Sequence, residues 1–301
     1  YDAQLAGKHA LVVAAFRAHG LAECVAIEPV APARERFHYR NKMEFTFGSR
    51  RWIAPDEPQG APAGFALGLH AAELFNKVID VRACAIQPER LDAIVASARE
   101  LALEQGLEPW DLRAHTGLLR FLAFRSARGT GEVLVNLVTS ADAPERVIPY
   151  AAALVARHPW ITTLVQNVNS RAGQTAFGER EHVLHGSGRI VESIDGVRFE
   201  ISANSFFQTN SAQAELLFAF VREAAALTGV ERVFDLYCGT GALGLALARD
   251  AREVVGFEQV EAAVRDARRN AELNGFTNAR FVEGDVLDSL ARLQAGSASP
   301  L

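Results

Sequence analysis

Between Arg232 and Glu283 the chain alternates short apolar runs with longer amphipathic ones, and a glycine-rich turn lies at the first junction. Arg232 to Leu236, Glu253 to Phe257 and Ala279 to Glu283 read as strands. Ala242 to Arg249 and Glu261 to Asn274, the latter closed by Gly275, read as helices. Strand–helix–strand–helix–strand at this spacing predicts a doubly wound parallel sheet, because parallel neighbours need a crossover long enough to hold a helix. Three strands leave such a sheet unfinished, so more chain is expected after Leu301. A first residue of Tyr1 in place of methionine sets the same expectation upstream.

The chain before Asn204 has another texture. Tyr1 to Gly20 has a helical rhythm, with Leu5, Val12, Val13 and Phe16 apolar. From Arg34 short alternating stretches follow: Phe37 to Gly48, Phe65 to Leu69, Leu118 to Arg125, Val133 to Thr139, Thr162 to Asn169 and Val197 to Ser202. Helices are expected near 88–106 and 143–157, and Ser211 to Leu227 is an amphipathic helix. The division expected is 1–33, a helix and linker; 34–203, an α+β domain on antiparallel strands; and 204–301, the α/β domain.

Composition bounds the partners. Of 301 residues, 49% are hydrophobic and 22% charged, the balance of a globular protein with a full core. No apolar run approaches the ~20 residues that span a bilayer, and no signal-peptide pattern opens the chain. No membrane association is expected. Cys24, Cys84 and Cys238 are scattered and odd in number, which fits a reducing cytoplasm. A net charge of -5 leaves any polyanion to a local patch. Arg34, Arg36, Arg40, Lys42, Arg50 and Arg51, interleaved with Phe37, Tyr39, Phe45, Phe47 and Trp52, form such a stretch. Cations beside aromatic rings suit single-stranded RNA, although a strand with one basic face and one core face explains the same pattern. His182 and His185 are three residues apart without a third ligand, so a solvated turn is expected there.

Asp235-Leu236-Tyr237-Cys238-Gly239-Thr240-Gly241-Ala242-Leu243-Gly244 places G-x-G-x-x-G after a strand and at the head of a helix. Gly239 and Gly241 permit a tight turn whose backbone N–H groups face a ligand. That pattern also describes NAD-binding proteins. Asp235 inside the strand, Glu258 ending the second strand and Asp285 after the third shift the balance. A carboxylate at Glu258 can accept both ribose hydroxyls, and Asp285 can reach an adenine amino group. Three acids without a phosphate-pairing arginine describe adenosine joined to an amino acid better than a dinucleotide.

With these residues in view, the sequence resembles the uracil-C5 RNA methyltransferases that act on tRNA and 23S rRNA. Phe234 to Gly241 resembles the family's first cofactor motif, and Ser205-Phe206-Phe207-Gln208-Thr209-Asn210 its F-Q-x-N segment. The resemblance implies a Rossmann-like class I methyltransferase domain, here partial, preceded by an α+β central RNA-binding domain. It implies S-adenosylmethionine as cofactor, held by Gln208, Tyr237, Gly239, Gly241, Glu258 and Asp285. Ala242 stands where many members carry asparagine. Tyr39-Arg40-Asn41-Lys42, His115-x-Gly117-x-Leu119-Arg120 and Gln166-Asn167-Val168-Asn169 resemble segments that contact RNA. A monomer acting on tRNA or 23S rRNA in the cytoplasm is the expected state.

The family's chemistry, as the resemblance implies, begins with a cysteine thiolate adding to C6, which makes C5 nucleophilic. A base then removes the C5 proton. Both groups lie beyond an Asp-Pro-Pro-Arg loop in the family, and nothing after Asp285 matches. No catalytic residue is therefore assigned within this chain. Several members also carry a [4Fe–4S] cluster, and Cys84 stands at the place of one of its four cysteines. An ordinary half-buried cysteine explains Cys84 equally well. The alternatives to an RNA methyltransferase are an NAD-linked oxidoreductase and a non-catalytic RNA-binding module.

Overall fold

Helix α1, Asp2–Ala18, dominates the first of two units in the computed structural model, Tyr1–Arg36. The structure describes residues 1–21, 23–173 and 175–294. None of the α1 residues is buried. Within this unit the Ala33 N–H donates to Tyr1 Oη at 2.6 Å, and the Arg36 guanidinium lies 4.7 Å from the Tyr1 ring centroid.

The second unit runs from Phe37 onward. Strand β1, Lys42–Gly48, shows the alternation of a half-buried strand. Met43, Phe45 and Phe47 are buried, while Lys42, Glu44 and Thr46 point to the other face. Strands β2 (Ala66–Ala71) and β3 (Leu74–Asp80), helix α2 (Arg90–Glu104), strands β4 (Leu119–Ser126) and β5 (Val133–Thr139), helix α3 (Pro144–Arg157) and strands β6 (Thr163–Val168) and β7 (Arg180–His185) follow. They form a seven-stranded sheet in the order β3-β2-β1-β4-β5-β6-β7. Every neighbouring pair is antiparallel except β5 and β6, whose parallel pairing is bridged by α3. The expectation of antiparallel strands therefore needs that one exception. Helices α2 and α3 cover the apolar face, where Ile94, Leu101, Val147 and Leu154 join Phe45, Leu122 and Leu137 in one core.

Three strands escaped the sequence reading. Strand β3 is an edge strand with Leu74 and Phe75 exposed, so burial gives it no alternation, and its turn from β2 uses Glu73 at φ 62° instead of glycine. Strand β7 lies at the opposite edge and is exposed through most of its length. His182 and His185 therefore lie on a strand, not in a solvated turn, and His182 Nε2 is paired with Asp142 Oδ1 at 2.8 Å. Strand β8, Arg189–Ile194, pairs with β9, Val197–Ser202, through Asp195 and Gly196 at φ 51° and 70°. That Asp-Gly turn between two alternating runs was a readable hairpin signal.

Helix α4 (Ser211–Ala225) leads into β10 (Arg232–Leu236), α5 (Ala242–Leu247), β11 (Glu253–Glu258), α6 (Glu261–Leu273), β12 (Ala279–Glu283) and α7 (Val286–Gln294). Strands β10, β11 and β12 form the parallel sheet that the spacing predicts. Asn210 Oδ1 caps α4 by accepting from the Gln213 N–H at 3.1 Å. A second core joins Leu134 and Val165 of the large sheet, Ile190 and Phe199 of the hairpin, Val264 of α6 and Phe281 of the parallel sheet.

Candidate cofactor and RNA site

The loop after β10 turns sharply because three of its residues have positive φ: Tyr237 at 61°, Gly239 at 55° and Gly241 at 77°. Cys238 N–H donates to Phe257 O at 3.0 Å, and Gly241 N–H donates to Cys238 O at 2.9 Å. A Cβ on Gly239 would meet nothing within 4 Å, so the backbone there faces open space. A Cβ on Gly241 would sit 2.7 Å from Phe281 Cζ. Gly241→Ala should accordingly cost about 1–3 kcal/mol of stability, the scale of overpacking in a fitted core. A thermal midpoint equal to that of the parent chain would contradict this.

Glu258 closes the loop. Its Oε2 accepts from Gly239 N–H at 3.0 Å and its Oε1 from Val260 N–H at 2.9 Å. One hydrogen bond on each oxygen leaves lone pairs free for a second partner. Asp285 Oδ1 accepts from Leu287 N–H at 2.8 Å and Asp288 N–H at 3.2 Å, so it caps α7. Asp235 differs from the sequence expectation of a ligand-facing acid. Its Oδ2 accepts from Gly244 N–H at 2.8 Å, pinning the head of α5 to β10, and burial raises its pKa against the opposing Gly244 bond.

Tyr237, Gly239, Gly241, Glu258 and Asp285 thus gather at the carboxyl edge of the parallel sheet. Ligands of open α/β sheets bind at that edge. Tyr237 is 72% exposed there. Gln208 comes from a separate segment, Asn204 to Asn210, and is exposed. That segment is tied down on several sides. Asn41 Nδ2 donates to Gln208 O and to Ser211 Oγ, both at 2.8 Å, and Asn41 N–H donates to Thr209 O at 2.8 Å. Ser205 Oγ donates to Asp266 Oδ2 at 2.8 Å, and the buried Arg125 guanidinium donates to Ser205 O. Burial lowers the Arg125 pKa to about 10, with Glu44 opposing the shift. Sequence reasoning missed Asn41, Arg125 and Asp266 as supports, since their bonds join distant parts of the chain.

Beside that segment a cleft of about 920 Å³, open mouth included, is lined by Arg40, Lys42, Arg125, Phe177, Phe206 and Phe207 among others. Phe206 is 72% and Phe177 53% exposed, and Lys42 Nζ lies 5.7 Å from the Phe177 ring centroid. The basic stretch is less open than its composition suggests. Arg51 is bound to Glu57 at 2.7 Å, Lys42 to Glu44 at 2.6 Å, and Arg40 Nε to Lys42 O at 2.9 Å. Phe45 and Phe47 are core residues, not stacking platforms, because the strand alternation turns them inward. Phe177 and Phe206 supply exposed rings instead, a contribution invisible until the chain folds.

Cys84 is buried in the core under α2, and its N–H approaches Asp92 Oδ1 at 3.2 Å. Among the described residues no three metal-capable side chains come together. Burial first, then Asp235 and Glu258, raise the Cys238 thiol pKa to about 12. No helix among the described residues is long and apolar enough to cross a membrane.

A family model described as a methyltransferase domain matches residues 228–297. An uncharacterised RNA methyltransferase of Chlorobaculum tepidum is 39% identical over 300 residues, covering 98% of this chain and 62% of the relative. One from Porphyromonas gingivalis is 38% identical, covering 96% of this chain and 64% of its own length. Among solved structures, the Pyrococcus abyssi tRNA (uracil-54, C5)-methyltransferase in complex with S-adenosyl-L-homocysteine superposes with a TM-score of 0.72 at 27% identity. That match covers 95% of this chain and 63% of the other. The chain thus spans a little over three-fifths of the length of these relatives.

Proposed function

We propose that the chain belongs to the family of RNA methyltransferases that these relatives represent, and that it forms the RNA-binding and cofactor-binding part of an enzyme that methylates uracil C5 in tRNA or 23S rRNA. The observation that carries the reading is the donor and acceptor set around the turn after β10. Gly239 offers an approachable backbone, and Glu258 keeps an unused lone pair on each oxygen.

In this reading Glu258 holds the ribose hydroxyls of S-adenosylmethionine, Asp285 receives the adenine amino group, and Tyr237 lies against the ligand. Gly239 and Gly241 shape the loop, and Gln208 meets the cofactor from the segment that Asn41 anchors. The cofactor supplies an electrophilic methyl group. The accepting carbon needs electron density that uracil alone lacks, which a thiolate adding to C6 would provide; a base would then take the C5 proton and the thiolate would leave. The nucleophile and base belong outside this chain, consistent with the raised pKa of Cys238. Cys84 remains a candidate thiolate of a [4Fe–4S] cluster in the full gene product. The described residues do not by themselves fit such a group, since they bring no further ligands to it, and no step is assigned to it.

The test of the cofactor is calorimetry on the 301-residue chain with S-adenosylhomocysteine and NADH. Binding of the first alone is expected, and binding of NADH alone would favour the oxidoreductase reading. For RNA, Arg40→Ala with Lys42→Ala should weaken binding and flatten its salt dependence, since each phosphate contact releases counterions. An unchanged slope of log affinity against log salt would remove the cleft beside Phe206 from the RNA surface.

A further inference from the structure

The large sheet carries a second cleft, at the end of β1 opposite to Lys42. It encloses about 450 Å³, open mouth included, between Gly48, His70 on β2, the turn at Trp110 to Arg113, and Arg120 and Phe121 on β4. Two N–H groups of its lining, Trp110 Nε1 and Arg120 Nε, are buried without a hydrogen-bond partner. Both can only donate. A group left in that condition asks for an acceptor, because buried polar groups are ordinarily paired.

Arg120 is 1% exposed and sits at the bulge where β4 slips register against β5. A bulge re-aims a side chain. Its Nη1 donates to Asn169 O at 2.7 Å and to Arg171 O, and its Nη2 to Gly173 O. The guanidinium carbon lies 4.8 Å from the Trp110 ring centroid. These partners are carbonyls and a ring, so the positive charge of Arg120 is not cancelled by a bonded carboxylate.

The wall opposite is a fixed turn. Trp110 N–H donates to Leu119 O and Asp111 N–H to Thr116 O, both at 2.7 Å. Gly117, at φ 105°, lies so close to Pro109 that a Cβ would approach its carbonyl oxygen to 2.2 Å. The Asp111 carboxylate accepts from Ala114 N–H, Ser49 Oγ and Arg113 N–H, which lower its pKa to about 2; its charge is engaged by its own turn. Arg50 and Arg113 are exposed at the mouth. Burial lowers the pKa of His70, against a smaller opposing effect of the Lys77 backbone.

Two unpartnered N–H donors in the lining, with arginines at the rim, fit a ligand that joins acceptor atoms on a flat edge to a negative charge. We propose that this cleft binds one unpaired RNA nucleotide other than the uracil to be methylated. The base edge takes the Trp110 and Arg120 N–H groups, and the flanking phosphates meet Arg50 and Arg113. Uracil and guanine both present carbonyl acceptors suited to such a floor. The inference rests on the RNA reading above.

The test titrates the 301-residue chain with a fluorescently labelled single-stranded oligouridylate carrying one guanosine. Trp110→Phe keeps a ring but removes the indole N–H, and should weaken binding about fivefold, one lost hydrogen bond. Arg113→Ala, a surface change, should weaken binding and lower the salt slope by about one. If Trp110→Phe lowers the thermal midpoint, Arg113→Ala alone decides the matter. Parent-like binding by both variants, with the Arg40/Lys42 double variant still weakened, would overturn the cleft and leave the RNA reading standing. No binding of RNA by the parent chain would overturn both.

Discussion

Asp80→Ala should destabilise the chain by about 3–5 kcal/mol, the usual cost of removing one partner from a buried ion pair. The Asp80 side chain is 4% exposed and that of Arg99 7%. Asp80 Oδ1 accepts from Arg99 Nε at 2.9 Å and from Leu67 N–H at 3.0 Å, and its Oδ2 pairs with Arg82 at 2.8 Å. Arg99 completes its bonds on Val81 O at 2.6 Å and Leu67 O at 3.3 Å. Burial lowers the Arg99 pKa and Asp80 opposes that shift, so losing Asp80 leaves a buried cation without its bonded carboxylate. Urea denaturation measures the effect, and a loss below about 1 kcal/mol would contradict it. The double variant with Arg99→Met should recover much of the loss, because a packed apolar side chain often replaces a buried pair at little cost.

That pair also marks where the sequence stops being readable. Asp80 ends β3, whose edge position removes the alternation that exposes other strands to inspection. Arg99 lies on α2, nineteen residues away, and nothing local announces that the two meet. The α/β part was far more legible. Its strands carry their pattern in consecutive residues, and the glycine turn, Glu258 and Asp285 follow each strand directly. What the sequence could not give was competition for the same groups. Asp235 reads as a ligand acid, yet it pins Gly244, and Asp285 also caps α7. Likewise the aromatic stretch near β1 mixed core rings with exposed ones: Phe45 lies on the inward face of the strand, whereas Phe37 precedes the strand and is exposed. The supports of Gln208 were illegible for a related reason, since Asn41 lies 167 positions before it.

Glu258→Ala should weaken S-adenosylmethionine binding by about 1.5–3 kcal/mol, the scale for hydrogen bonds to a charged group. The effect has two sources. The ribose loses its acceptor, and the Gly239 and Val260 N–H groups lose theirs, so the loop that should receive the ligand is also less ordered. Glu258→Gln separates them. An amide carbonyl can replace one backbone bond but cannot accept at both oxygens. Its affinity should fall between those of the parent and Glu258→Ala. Calorimetry giving equal affinity for all three would remove Glu258 from the cofactor site.

The proposed C5 methylation of uracil in RNA is tested by transfer of labelled methyl from S-adenosylmethionine, by the full gene product, to unmodified tRNA and 23S rRNA, followed by nucleoside analysis. The account predicts that the label appears in 5-methyluridine, and that Cys238→Ala, at a buried thiol whose pKa is raised to about 12, leaves this product in place. Label in a different nucleoside, or none from an enzyme that binds both the cofactor and RNA, would contradict it.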